Sequence, residues 1–313
     1  MIKKIRDNIG IWFRAVRVPF FTATVLSGIL GSICAWHNTG NLDCFYLFLT
    51  VLGIVLLNAG TNLINDYFDH TSNLDEVNPN PTRFSGGSRV IQEKLISPRK
   101  IFLAGLFSFT LASLIGLYLN WQPKGNVILI IGMLGVFLGY FYTAEPLRIG
   151  YTPMAEIVAG SCCGFLIIAG SYYVQAQTLN SVVFYVSIPM GLLVFLILLI
   201  NEFLDYDADK IVNKKTLVVI LGKEKAMRIY RLLLFFIYLI MIFGIIFRIF
   251  PFFTLITFIT IPLAFKAVKI AKQNYNKIQE LLPANAATIR LHLFFGLLLS
   301  AGYLLDKLFK ANK

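Results

Sequence analysis

Asn62, Asp66 and Asp69 close an apolar run with side chains that share one chemistry, oxygen ligation of a hard cation. At about 100° per residue the three fall on one face of a helix, and the stretch Leu47 to Leu57 before them is free of charge. A second cluster, Asn201, Asp205 and Asp209, ends another long apolar run far down the chain. Carboxylates at the inner end of such a run are costly and usually mark a site, although one aspartate alone would be read as a solvated helix end. Two clusters facing each other at one membrane surface bind divalent cations and, through them, a diphosphate. The ligands are all oxygen, with no Cys in either motif, so Mg²⁺ is preferred over zinc. His70 adjoins Asp69 but falls off the Asp66 face and is read as structural.

Cations accompany both clusters. After Asp69 come Asp75 and the stretch Asn78 to Arg89, where Gly86 and Gly87 stand among Arg83, Ser85, Ser88 and Arg89. Glycine lets backbone N–H groups approach an oxyanion, and arginine supplies forked donors, so this stretch is a candidate anion cradle. An ordinary polar loop with solvated charges is the competing reading. After Asp209 come Lys210, Lys214 and Lys215. Acids beside bases fit a site in which Mg²⁺ bridges Asp and phosphate oxygens while Lys or Arg neutralises the rest. The stretch Tyr140 to Arg148 adds Tyr140 and Tyr142, whose rings can face a cation, and Arg148, which can meet an anion. Interfacial belt tyrosines are the bland alternative.

The elements that position these groups follow from composition. The 313 residues are 57% hydrophobic and 14% charged, with a mean hydropathy of +0.73. That is the signature of an all-α membrane protein, each span needing roughly 20 apolar residues. The net charge of +12 does not point to nucleic acid, because no basic tract is interleaved with aromatics. Apolar windows run from Val18 to Trp36, Phe45 to Ile64, Ile101 to Leu119, Val127 to Tyr142, Met154 to Val174, Val182 to Leu204, Ile229 to Phe247, Phe252 to Val268 and Thr288 to Leu305. They predict about nine transmembrane helices in one bundle, a single domain over residues 1–313. No cleavable signal peptide is evident, and Cys34, Cys162 and Cys163 read as packing residues inside spans.

Charge alternates between the connections. Lys3, Lys4, Arg6, Arg14 and Arg17, then the segments 67–100 and 205–228, Arg148, and the stretch Lys266 to Arg290 hold most of the cations. The other set has only Lys124, Arg248 and the C-terminal Lys307, Lys310 and Lys313. The positive-inside rule then places residues 1–17 in the cytoplasm and the C-terminus outside. Both Asp motifs end even-numbered helices at the cytoplasmic side, and 67–100 and 205–228 become the active-site loops. Their matching positions suggest an internal duplication.

The paired motifs resemble the UbiA superfamily of intramembrane aromatic prenyltransferases, over nearly the whole chain. Asn62, Asp66, Asp69 and Asp75 match the first hallmark segment; Asn201, Asp205 and Asp209, trailed by Lys214 to Gly222, match the second. The stretches Asn62 to Asp69, Ser85 to Arg89 and Ala287 to His292 look most like the 1,4-dihydroxy-2-naphthoate polyprenyltransferases of menaquinone synthesis. The chain departs from many members at Glu202, where they carry a second Asn, and it has no Arg before Asp205. The resemblance implies two Mg²⁺ ions held by Asp66, Asp69, Asp205 and Asp209 with Asn62 and Asn201. These would grip the diphosphate of a polyprenyl diphosphate while Arg83, Arg89 and Lys214 complete its neutralisation. It also implies an allylic cation beside Tyr142 or Tyr140, attack by an electron-rich aromatic acceptor, and a prenyl tail lying among helices and open to membrane lipid. Asp75 would join the substrate-binding set, and Arg17 or Arg148 would steady an acceptor carboxylate. A bacterial inner (cytoplasmic) membrane is the expected location.

Other functions remain open at this stage. The same scaffold prenylates 4-hydroxybenzoate, homogentisate, haem or a glyceryl phosphate, or cyclises the diphosphate with no acceptor. A transporter would need polar groups near the membrane midplane rather than at one face, and a scaffold protein would have no need of both acidic clusters.

Overall fold

All nine apolar windows become helices in the computed structural model, which describes the backbone of residues 2–121 and 125–311 and the side chains of residues 9–121 and 125–310. Lys3, Lys4, Arg6, Lys124 and Lys313, counted above for topology, lie outside the described side chains. Eight helices are long and apolar enough to cross a bilayer: Val18–Thr39, Cys44–Thr71, Pro98–Trp121, Ala155–Ala176, Val182–Ile211, Lys223–Ile246, Phe252–Asn274 and Ile278–Lys310. The ninth, Val127–Phe141, has 15 residues, reaching about 22 Å at the helical rise. Ile128 at its start packs with Leu119, Tyr173 and Val174, far from the Asp motifs. Tyr140, near its other end, meets the ring of Phe68, the neighbour of Asp69, with centroids 6.0 Å apart, so this helix reaches from that region to the level of the first motif. In chain order, with Val127–Phe141 fourth, these are spans one to nine. Among the described residues no strand forms, and one isolated bridge joins Thr82 to Ser85.

Spans two and six outrun their apolar windows. Span two is capped by Asp43, whose carboxylate accepts from the amides of Phe45 at 2.8 Å and Tyr46 at 3.0 Å, satisfying N–H groups that have no partner inside the helix. It ends at Thr71, and span six ends at Ile211, so every residue of both acidic motifs is helical. The segments expected as loops from 67 and from 205 therefore start as helix. The connection after span two carries one short helix, Leu74–Val77. The connection after span six is residues 212–216, leading into Leu217–Leu221, which Thr216 caps at 3.4 Å.

The helices form two unequal layers. Spans one and five to nine share the larger core, with Leu30, Tyr172, Leu193, Phe203, Tyr230 and Phe295 buried in it. Spans two, three and four pack on one another in a thinner layer. A small second core of Ala15, Leu63, Val90, Ile91, Ile96 and Ile101 wedges the connection after span two against the N-terminal helix Ile2–Ala15 and span three. A cavity of 2130 Å³ lies between the layers. Its walls run from Arg17, Asp69, Asp205 and Lys214 at one end to Thr50, Leu119 and Val174 at the other.

Spans five and six touch backbone to backbone. A Cβ on Gly164 would lie 2.6 Å from Gly191 Cα, and one on Gly160 would lie 2.7 Å from Gly191 O. Any side chain there would prise the two helices apart. Directly after Gly160, span five takes a wide π turn over Ser161–Leu166, which carries Cys162 and Cys163 to the cavity wall. Cys34 by contrast is buried in the core.

Candidate active site

Asp69 and Asp209 sit in the last turns of their helices, where the backbone dipole presents its negative end. Carboxylates there need cations, and the structure supplies them in two ranks. Asn62, Asp69, Asp75, Arg83, Arg89, Tyr142, Asn201, Asp205 and Lys214 line the cavity. Asp66 and Asp209 stand behind it, each against a basic side chain. Arg148 turns away, pairing with Glu145 at 2.8 Å and lying over the Tyr151 ring at 5.4 Å.

On the side of the first motif, Asp66 Oδ1 accepts from the Arg17 guanidinium and from the Ser88 amide at 3.2 Å. Arg17 also donates to Asn65 Oδ1 at 2.9 Å. Its own backbone is left-handed, φ 57, at the turn from the N-terminal helix into span one. Burial opposes the Arg17 charge, but Asp66 outweighs it and raises the guanidinium above its ordinary value. Asp69 accepts from Tyr151 Oη at 2.8 Å, and Ser72 Oγ lies 2.7 Å from the same phenol. Burial, then Asp69, pushes the Tyr151 phenol up. Arg89 donates to the backbone oxygen of Asp75, drawing the glycine-rich stretch over the motif. A Cβ on Gly87, φ +72, would fall 2.3 Å from Asp75 Oδ2; only glycine lets that carboxyl sit there. Burial and the nearby Asp69 lift Asp75 to about 8.

On the side of the second motif, Asn78 donates to Asp205 Oδ1 at 2.9 Å, so the first connection also reaches span six. Lys214 Nζ stands 3.3 Å from Asp209 Oδ1 and 5.5 Å from the centre of the Tyr151 ring. Burial disfavours its charge, yet Asp209, Asp69, Asp205 and Glu202 together hold its proton well above the ordinary range. One ammonium thus gathers carboxylates from both motifs. Asn201 Oδ1 accepts from Asn285 at 2.9 Å. Asn62 donates to Val16 O at 2.9 Å and to Asn58 Oδ1 at 3.0 Å, tying span two to the start of span one. Arg83 lies over the Phe84 ring at 4.7 Å. Tyr142 is fixed through its carbonyl, which accepts from Gly150 N at 2.6 Å, and its ring fills the space a side chain at Gly150 would need. Burial and Glu202 push its phenol well above the usual value.

Residues 24–298 match the UbiA prenyltransferase family. The chain belongs to that family. It is 28% identical over 296 residues to the 2-carboxy-1,4-naphthoquinone phytyltransferase of Synechocystis, covering 94% of this chain and 92% of the relative. It is 27% identical over 302 residues to the 1,4-dihydroxy-2-naphthoate octaprenyltransferase of Bacillus subtilis, covering 96% and 94%. The fold matches a UbiA homolog from Archaeoglobus fulgidus solved with GPP and Mg²⁺, with a TM-score of 0.66 at 15% identity over 93% of this chain and 99% of that one. The protein is an integral-membrane prenyltransferase.

The donor set of this UbiA enzyme suits a divalent cation shared with a polyanion. Among the described residues no three Asp, Glu, His or Cys side chains close on one point as a metal cage. Mg²⁺ does not ask for one: it is ordinarily held by one or two carboxylates together with substrate phosphates and water. Lone pairs remain for it, since Asp66 Oδ2 and Asp209 Oδ2 have no partner, Lys214 standing at Asp209 Oδ1. Three site residues had no role in the sequence reading. Tyr151 follows a glycine in an interfacial turn, Asn285 lies in span nine far from either motif, and Glu156 stands against span six. None has a local signal, because each acts through a neighbour distant in sequence.

Proposed function

We propose that this enzyme transfers a polyprenyl group from a polyprenyl diphosphate to 1,4-dihydroxy-2-naphthoate, with Mg²⁺ as the metal, in menaquinone biosynthesis. The observation that carries the reading is a single cavity with residues of both Asp motifs and Lys214 at one end and an apolar interior along the bundle. A diphosphate belongs at the charged end and a polyprenyl tail in the rest. The names carried by the Synechocystis and Bacillus relatives supply the naphthoate.

Asp69, Asp75 and Asp205 line the mouth and are the groups to hold Mg²⁺ there, two ions fitting the two motifs, with Asp66, Asp209, Asn62 and Asn201 completing or positioning the set. Bound Mg²⁺ would neutralise the diphosphate and stabilise it as a leaving group. Arg83, Arg89 and Lys214 take up the charge that builds on the diphosphate as the C–O bond breaks, an effect strongest where water is excluded. The bonding pair leaves with the diphosphate, and the allylic carbon is left facing the Tyr142 and Tyr140 rings, whose faces attract positive charge. The electron-rich ring carbon that bears the carboxylate then bonds the allylic carbon. Loss of the ring carboxylate as carbon dioxide returns its bonding pair to the ring and leaves the prenylated quinol. In the proposed topology the enzyme lies in the bacterial inner membrane with its N-terminus and both motifs cytoplasmic and its C-terminus outside, so the charged substrate arrives from the cytoplasm.

The test is Mg²⁺-dependent transfer from a radiolabelled polyprenyl diphosphate by purified protein, with 1,4-dihydroxy-2-naphthoate and 4-hydroxybenzoate offered separately. Label in the prenylated naphthoquinol supports the full reading. Label in the benzoate product keeps the chemistry and replaces the acceptor. Diphosphate release without either product, or no chelator-sensitive turnover across several chain lengths, overturns it.

A further inference from the structure

Glu156, at the start of span five, is 0% exposed, and neither of its carboxyl oxygens has a hydrogen-bond partner. It faces Glu202 of span six. Glu202 is 5% exposed, lines the cavity between Asn201 and Asp205, and leaves its own Oε2 unpartnered. Lys214 reaches Glu202 with its charge but is already engaged by Asp209. Buried polar groups are normally hydrogen-bonded, and here two carboxyls meet with no donor supplied by the protein.

Their placement is built into the fold. The Gly160–Gly191 and Gly164–Gly191 contacts press span five onto span six, and the π turn at Ser161–Leu166 follows directly. Cys162, Cys163, Val158 and Ile197 form the neighbouring cavity wall, and Tyr142 stands close enough for its phenol to feel both carboxyls. A diphosphate would be repelled by this pair. A hard cation would find too few oxygens between these two carboxyls, where the neighbouring wall is thiol and hydrocarbon. Glu202 lines the cavity with Glu156 behind it, and neither Glu156 nor Glu202 Oε2 has a protein donor, so the pair offers oxygen acceptors. What fits them is a neutral hydroxyl donor on an otherwise apolar body.

Resting on the aromatic acceptor proposed above, we propose that Glu202, backed by Glu156, accepts a hydrogen bond from a ring hydroxyl of that acceptor and so selects hydroxylated aromatics. Glu202 and Asp205 are three residues apart on one helix, hence on the same face and about 4.5 Å apart along the axis. Span six would then hold the acceptor hydroxyl and the diphosphate end of the donor side by side. The contact also favours reaction: as the ring attacks, positive charge spreads to its hydroxyl oxygens, and a hydrogen bond donated from them strengthens.

The experiment uses the full chain in lipid nanodiscs with Mg²⁺ and saturating polyprenyl diphosphate, titrated with 1,4-dihydroxy-2-naphthoate or with its 4-methyl ether. Wild type is expected to discriminate against the ether, and Glu202→Leu, which leaves no acceptor, to raise the KM for the dihydroxy acceptor about tenfold or more while erasing that discrimination. The donor KM should stay within about twofold. Glu156→Gln should move the same quantities less, acting through Glu202. A merely structural role would lower turnover on both acceptors in proportion and leave their ratio unchanged. An unchanged acceptor KM, or discrimination preserved in Glu202→Leu, overturns the hydroxyl contact while leaving the proposed function standing. Absence of wild-type turnover on any hydroxyaromatic overturns the function itself. Folding of each variant is checked by its thermal shift with Mg²⁺ and a prenyl thiolodiphosphate; if Glu202→Leu fails that check, the ratio is read from Glu156→Gln.

Discussion

The two Asp motifs carry the same residue types at similar spacing, yet the protein holds them in opposite ways. Span six is packed on several sides, 56% of its apolar stretch being buried, against 28% for span two and 17% for span three. The second motif is therefore fixed by helix packing, followed by a short connection, and answered by one buried ammonium, Lys214. The first sits in the thinner layer and is fixed from above by Arg17, the Ser88 amide and Tyr151. A glycine-rich stretch crosses from Arg89 at Asp75 to Asn78 at Asp205. One half of the site is a rigid wall, and the other is assembled by tethers that come from other parts of the chain. Equal motifs in sequence need not be equally pre-organised.

Mutations can break or sharpen that contrast. Asp205→Ala, on the rigid wall, should cost about 10³-fold or more in turnover with little change in melting temperature, and Asp69→Ala the same order; wild-type rates in either would remove the metal assignment. Lys214→Met should lower turnover about 10²-fold and also destabilise the protein, because Asp209 is left buried and uncompensated; a variant that melts like wild type in detergent would separate the lysine from the wall. Arg89→Ala should raise the donor KM about tenfold while sparing the acceptor KM, as expected of a tether. Asp75 gives a pH signature. Its carboxyl holds a proton up to about 8 in the folded protein, against an ordinary 3.8. Its contribution to stability is thus complete below the lower value and lost as pH rises through the upper one. The metal-free protein should melt lower at pH 9 than at pH 7, and Asp75→Asn should flatten that slope. Smallest is Arg14→Ala: its pair with Glu93 is half exposed, and its loss should change activity less than about threefold.

The order of the helices was readable from the chain, because apolar length is a physical requirement of the bilayer and is written locally; their ends were not, since polar turns extend them beyond the apolar windows, as at Thr71, Ile211 and Ile278. Convergence of the motifs was readable from their equal positions at even-numbered span ends. The partition into two ranks was not. Asn62, Asp66 and Asp69 share a helical face, yet Asp66 is drawn behind the other two by Arg17, 49 residues away. Arg148, a reasonable anion ligand by type, is held off by Glu145 three residues before it. The departure at Glu202 stood out as a missing Asn; its meaning depended on Glu156, which only the packing of span five on span six reveals.

The cavity is more than twice the size of an ordinary small-molecule pocket, and apolar space of that extent beside a bilayer fills with whatever chains surround it. Acyl tails of host lipids then compete with the donor's tail for the same volume. The quantity that sets occupancy is the donor's mole fraction in the membrane, not its amount per volume of water. Diluting the donor with inert lipid at constant bulk concentration slows such an enzyme as an inhibitor would.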